Sequence, residues 1–182
     1  MIELIIVVAI IAIIVAIAIP NLFRARMNAN QAAAVSACRA FTEAEEIYRR
    51  TDYDGDGVLE YSQTIAGNNS LVERTSGMHD LGLLDTTFGR AEGSAETATG
   101  KAGYVFTVLL RQGSAATGGV QNYIIGGNMT NGYGLSAVPS SYDVTGRNAY
   151  IINNDGVTFQ KDVNGNLHQT IFNPDSTWTM TE

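Results

Sequence analysis

The chain contains one cysteine, Cys38, and only two histidines, His79 and His168. A single cysteine excludes an intrachain disulfide and a thiolate-based zinc site. The two histidines lie far apart with no metal-ligand spacing and read as ordinary surface or loop residues. Basic residues are also scarce: 11 Lys and Arg stand against 18 Asp and Glu, a formal net charge of −7. No Lys/Arg cluster rewards a phosphate backbone, so nucleic acid is not an expected partner. Catalytic signatures are missing too. There is no Ser/His/Asp order with a supporting motif and no phosphate-cradling P-loop, and "GGNMTNGYG" lacks the strand-to-helix context of a dinucleotide site. These absences point away from an enzyme.

What the chain does have is a long hydrophobic run. It opens "MIELIIVVAIIAIIVAIAIP", and Leu4 through Ile19 carry no polar side chain. That length is at the short end of what crosses a hydrocarbon core of roughly 30 Å. A cleavable signal would need a basic head and a small-x-small cleavage site. Here Glu3 precedes the run and "IPNLFRARMN" follows it, so the segment reads as retained. Arg24 and Arg26 would hold its far end in the cytoplasm by the positive-inside rule. An outward-facing bulk of the chain therefore calls for a basic leader ahead of Met1. Glu3 itself is costly in lipid unless it has a partner.

Residues 4–50 read as one helix. Past Asn21 the pattern turns amphipathic, with Ala33, Ala37, Ala40, Phe41, Ala44, Ile47 and Tyr48 at steps of three and four. Arg39, Glu43, Glu46 and Arg50 fall largely elsewhere on the wheel, and Glu46 to Arg50 is an i,i+4 ion-pair step. Pro20 removes the hydrogen bond to the carbonyl of Ala16, so a kink or loosening over 16–20 is expected.

The rest reads as a smaller sheet with long connections. "TDYDGDGVLEYSQT" ends the helix at Gly55 and Gly57, and a short helix is expected around Thr64–Glu73. Residues 89–103 read as a polar loop, and 103–111 with 120–127 as a hairpin with a flexible connection. The stretch 128–146 reads as a long surface loop. Residues 147–161 read as a tight hairpin through Asp155-Gly156, and Asn164-Gly165 signals a turn into a further short strand. The fold class is α+β: a long N-terminal helix whose amphipathic half covers an antiparallel sheet. Residues 1–24 form the apolar segment, and 25–182 form the head, which includes the helix to about residue 50.

"DYDGDGVLEYSQ" has most of a calcium loop. Counting from Asp52, Asp54 is third, Asp56 fifth, Gly57 sixth, the Val58 carbonyl seventh and Glu60 ninth, but Gln63 replaces the bidentate Glu at twelve. An Asx-rich turn with solvated acids would use the same residues. Asn68 and Asn128 fit the N-x-S/T pattern, and the Ser/Thr/Ala stretches at 93–99 and 114–117 are candidates for O-linked sugars. Phe23, Phe41 and Tyr48 at helical spacing read as packing residues and not as a conductive path.

"IELIIVVAIIAIIVAIAIPNLFRARMNAN" resembles the N-terminal segment of type IV pilins and of the related pseudopilins of type II secretion. The resemblance is dense over about the first 50 residues and elsewhere extends only to the layout of a helix on a sheet. It implies a leader cut by a prepilin peptidase, and an N-methylated mature start whose first two residues this chain would lack. It also implies that Glu3 neutralises the N-terminal amine of a neighbouring subunit. Physically, such a pair spares each charge a lone burial and sets register. Many pilins carry a helix-breaking Gly eight residues before the proline; here that position is Ala12, a strong helix former, so melting would centre on 16–20.

The implied protein is a type IV pilus subunit, held in the inner membrane before assembly. It would then be built with identical subunits by the pilus machinery into an extracellular homopolymer for adhesion, motility or attachment. The alternatives are a pseudopilin and a membrane-anchored surface-binding protein that never polymerises. Retention of Glu3 argues against the last.

Overall fold

A computed structural model describes residues 2–72, 81–166 and 169–181. His79, His168 and Glu73 lie outside them. Helix α1 (Ile2–Tyr48) is continuous through Pro20, so the loosening expected at 16–20 does not interrupt it in the isolated chain. It ends two residues short of the expected Arg50. Every residue from Ile2 to Arg26 is exposed, and this is the helix long and apolar enough to cross a membrane.

The second half of α1 is docked. Its buried stripe is Ala34, Ala37, Cys38, Phe41, Ala44, Glu45 and Tyr48. This corrects the expected face: Ala40 and Ile47 are exposed and Ala33 is only half-buried, while Cys38 and Glu45 point inward. Cys38, fully enclosed, has its thiol pushed up to about 12 by burial and is held as the thiol.

The helix lies across a five-stranded antiparallel sheet. It comprises β1 (Tyr104–Leu109), β6 (Gly134–Pro139), β7 (Asn148–Asn153), β8 (Phe159–Asp162) and β9 (Thr179–Met180), in that spatial order. Two small hairpins complete the head: β2 (Arg111–Gln112) with β3 (Gln121–Asn122), and β4 (Ile124–Ile125) with β5 (Asn128–Met129). Strand alternation sorts the side chains. Tyr104, Phe106, Val108, Leu135, Ala137, Tyr150 and Ile152 join the helix stripe in the main core. Val105, Val138 and Ala149, with Leu109 and Ile151, face the opposite side. There Val163, Phe172 and Trp178 from the C-terminal segment pack over them. The arrangement is α+β, with both faces of the central strands covered.

Five sequence expectations are corrected here. Residues 64–72 form turns and bends instead of a helix, and the second helix, α2 (Thr86–Arg90), comes later, capped by the Asp85 side chain on the Phe88 N–H. The expected hairpin of 103–111 with 120–127 survives only as the short β2–β3 pair, because β1 is taken by β6. The long "surface loop" 128–146 contains β6, a fully buried strand next to both β1 and β7. The β7–β8 hairpin is real and paired Ile151 to Phe159, but its connection is wider than a tight turn and leaves Val157 outside the strands. The strand expected soon after Asn164-Gly165 is instead β9, which pairs with β8.

Glycines sit where β6 and the turn after it approach their neighbours closely. At Gly134 a Cβ would sit 3.1 Å from the Leu109 Cβ and 3.2 Å from the Ile152 carbonyl oxygen, so a larger residue would make the neighbours give by a few tenths of an ångström. Gly146 lies directly under the Tyr104 hydroxyl, which donates to the Asn148 carbonyl at 2.9 Å.

Candidate functional site

The acidic loop that follows α1 is built by short-range hydrogen bonding. Asp52 accepts from the Gly55 N–H at 2.7 Å through Oδ1 and from the Gly57 N–H at 2.9 Å through Oδ2. Asp54 accepts from the Asp56 N–H at 3.2 Å, and Asp56 from the Val58 N–H at 2.7 Å. Gly55 and Gly57 have φ of 80° and 84°, a conformation that favours glycine and coils the chain around the three acids. One carboxylate oxygen from each of Asp52, Asp54 and Asp56 lies within 4.8 Å of the other two.

A second element, missed by sequence reasoning, clasps this loop. The Met129 N–H donates to Glu60 Oε2 at 3.0 Å, and the Tyr61 N–H donates to the Met129 carbonyl at 2.8 Å. Gln63 donates to the Gly127 carbonyl at 2.7 Å, and the Asn128 amide donates to Asp56 Oδ2. The β4–β5 hairpin thus anchors the loop from about 70 residues downstream. Asn128, expected as a glycosylation site, spends its Nδ2 on Asp56, while Asn68 is exposed.

Electrostatics separate the acids. The backbone N–H groups of Gly57 and Gly55 hold Asp52 below the usual carboxylate range. Burial pushes Glu60 up, the Met129 N–H opposes that, and Asp54, Asp56 and Asp52 push it further. Oxygen-only donors, three of them clustered and strongly repelling, suit a hard divalent cation such as calcium. Asp52, Asp54, Asp56, the Val58 carbonyl and Glu60 are the residues that would hold it. Gln63 is an amide and supplies no bidentate carboxylate; its Nε2 is given to the Gly127 carbonyl.

A third feature, also missed, lies under the loop. Glu45 is fully buried; Oε2 accepts from the Ser62 N–H at 2.8 Å, and Oε1 has no hydrogen-bond partner among the described residues. Around it stand three tyrosines. Tyr48 donates to the Asn69 carbonyl at 2.8 Å, Tyr61 accepts from Arg49 at 2.7 Å, and Tyr133 packs edge-on against Phe41 and Tyr61. Burial drives the Glu45 carboxyl well above the usual range, with Glu46 adding to the rise against the Ser62 hydrogen bond. A Glu at the right helical phase, four residues past Phe41, was the available signal.

Glu3 and Pro20 both lie on the exposed first half of α1, far in sequence from the loop. The structure does not bring them together with the acids.

Compared with known proteins, the chain matches over residues 16–181 the family described as "Protein of unknown function (DUF2950)". It belongs to that family. The match takes in the end of the apolar segment and the head with its acidic loop. No curated protein and no solved structure matches it.

Proposed function

We propose that this chain is a filament subunit of the type IV pilin class, held in a membrane by residues 2–23 and polymerised through them. The observation that carries the proposal is the exposure of the whole apolar half of α1 beside a fully packed second half. Apolar surface on this scale is rarely left to water. Each exposed Ile or Val contributes roughly 1.5–3 kcal/mol when buried. A lipid core would cover it in the monomer, and the same segments of other subunits would cover it in a bundle. Glu3 is the feature a plain anchor has no use for, and its resemblance-implied partner is the amine of a neighbouring subunit.

The pseudopilin alternative keeps the same physics with a short polymer; the clustered acids of residues 52–56 favour it. Electron microscopy of sheared cell-surface material tests both. Long filaments containing this chain support the pilus, and short or absent filaments with a secretion defect support the pseudopilin. Glu3→Ala should block or slow assembly while leaving membrane insertion intact. Normal-rate assembly of that variant refutes the role given to Glu3.

A further inference from the structure

Where α1 leaves its apolar segment, four side chains recur at one-face spacing: Arg24, Met27, Asn28 and Gln31. Together with Arg147, just before β7, they line a pocket of about 300 Å³. Immediately above it Asn30 donates to the Thr145 carbonyl at 2.9 Å, tying the 141–147 turn to the helix. The pocket therefore lies between the helix and the lower rim of the head.

Its height along the helix is set by geometry. Twenty-two residues from Ile2 to Phe23 span about 33 Å at 1.5 Å per residue, close to a hydrocarbon core of roughly 30 Å. Arg24 to Gln31 then occupy the next ~12 Å, the depth of lipid headgroups and the water just beyond them. Among the described residues Arg24 makes no ion pair. Arg147 gives its Nε to Asp143 at 2.7 Å and also feels Asp162, yet a guanidinium has further N–H donors. Two guanidiniums and the Asn28 amide offer the donors that a phosphodiester accepts, while the Gln31 amide also bonds the Tyr150 hydroxyl. None of the lining residues is aromatic, so the pocket lacks the cage that suits a choline ammonium.

We infer that this pocket binds the headgroup of an anionic phospholipid of the bilayer that holds residues 2–23. The inference rests on the membrane placement in the proposed function. Bound lipid would fix the depth and rotation of α1 in the bilayer, and it would have to leave when a subunit is extracted.

The test uses the full chain in phosphatidylcholine vesicles with and without phosphatidylglycerol. Flotation with the vesicles reads insertion, and native mass spectrometry after mild detergent extraction reads the lipid retained. Phosphatidylglycerol should be retained in preference to phosphatidylcholine. Arg24→Gln and Arg147→Gln should each lower that retention about fivefold, with flotation and head melting temperature unchanged. Arg26→Gln removes the same charge from the same helix outside the pocket and should change retention less than twofold. Equal losses for Arg24→Gln and Arg26→Gln, or no preference for phosphatidylglycerol, would overturn the site while leaving insertion standing. Displacement of the lipid by millimolar inorganic phosphate would reassign the pocket to a soluble anion. A wild-type chain that does not float with vesicles would overturn the membrane placement itself.

Discussion

The two halves of α1 share one backbone and differ in almost everything else. From Ile2 to Phe23 nearly every side chain is apolar and all are exposed, with no preferred side. From Ala34 to Tyr48 a narrow stripe of small and aromatic residues is sealed against the sheet, and it includes an acid. An all-round apolar helix is complete only inside a medium or an assembly; a striped one is complete inside its own chain. The first half thus states a need for something outside the molecule, and the second half states how the head is held to it.

The largest contrast between the halves should come from truncating one apolar side chain in each. Phe41 is fully buried against Tyr133, so Phe41→Ala should cost about 3–5 kcal/mol of head stability, read by denaturant unfolding in detergent. Ile13→Ala should leave head unfolding unchanged, because Ile13 is exposed on the half of α1 that contributes nothing to the core. A comparable loss from Ile13→Ala would erase the distinction between the halves.

Next in size is the buried acid. Folding raises the Glu45 carboxyl above its ordinary value, so the folded state holds a proton that the unfolded chain releases. Stability from this group is therefore full at acid pH and declines as pH rises above the ordinary carboxylate value. Glu45→Gln keeps the acceptor for Ser62 and removes the decline. Its advantage over the native chain should be small near pH 4 and grow toward pH 8, reaching on the order of 1–3 kcal/mol. An advantage that is the same at both pH values would show that Glu45 does not titrate on unfolding.

A smaller effect belongs to the acidic loop. Calcium at about five times its dissociation constant should raise the melting temperature by about 2–4 °C, and Asp54→Asn should reduce that rise. Melting curves that are identical with calcium and with chelator would leave the loop as an Asx turn alone. The smallest effect tests the phase of the stripe. Ile47 is exposed, so Ile47→Lys should stay within about 0.5 kcal/mol of the native chain. Tyr48→Lys, one residue on, should be severely destabilising because it buries a charge where Tyr48 packs beside Tyr53.

Much of the molecule was legible from local pattern. The apolar run, the long helix, the Asp52–Asp54–Asp56 spacing and the Asp155-Gly156 connection are all written in adjacent residues, and periodicity is a local property. The helix face was nearly legible, but it was misphased because the sequence reading took Ala40 and Ile47 as inward and left Cys38 and Glu45 out of the stripe. Burial of Glu45 depends on the Ser62 N–H waiting for it, which no helical wheel contains.

β6 was illegible for a different reason. "GLSAVP" is buried on both faces, so it shows no alternation, and its Gly and Pro look like loop residues. At Gly134 the space for a Cβ is narrowed by Leu109 and Ile152, which lie on strands elsewhere in the chain. The reach of Asn128 to Asp56 is of the same kind.

The sequence by itself determined that one end of this protein is a helix long and apolar enough to cross a membrane, because that property depends on composition along a single helix. Only the tertiary structure decided which strand completes the sheet, which acid is buried, what clasps the acidic loop and where Arg147 meets Arg24. Each of those is a meeting of residues distant in the chain, fixed by packing and by the need to satisfy buried polar groups.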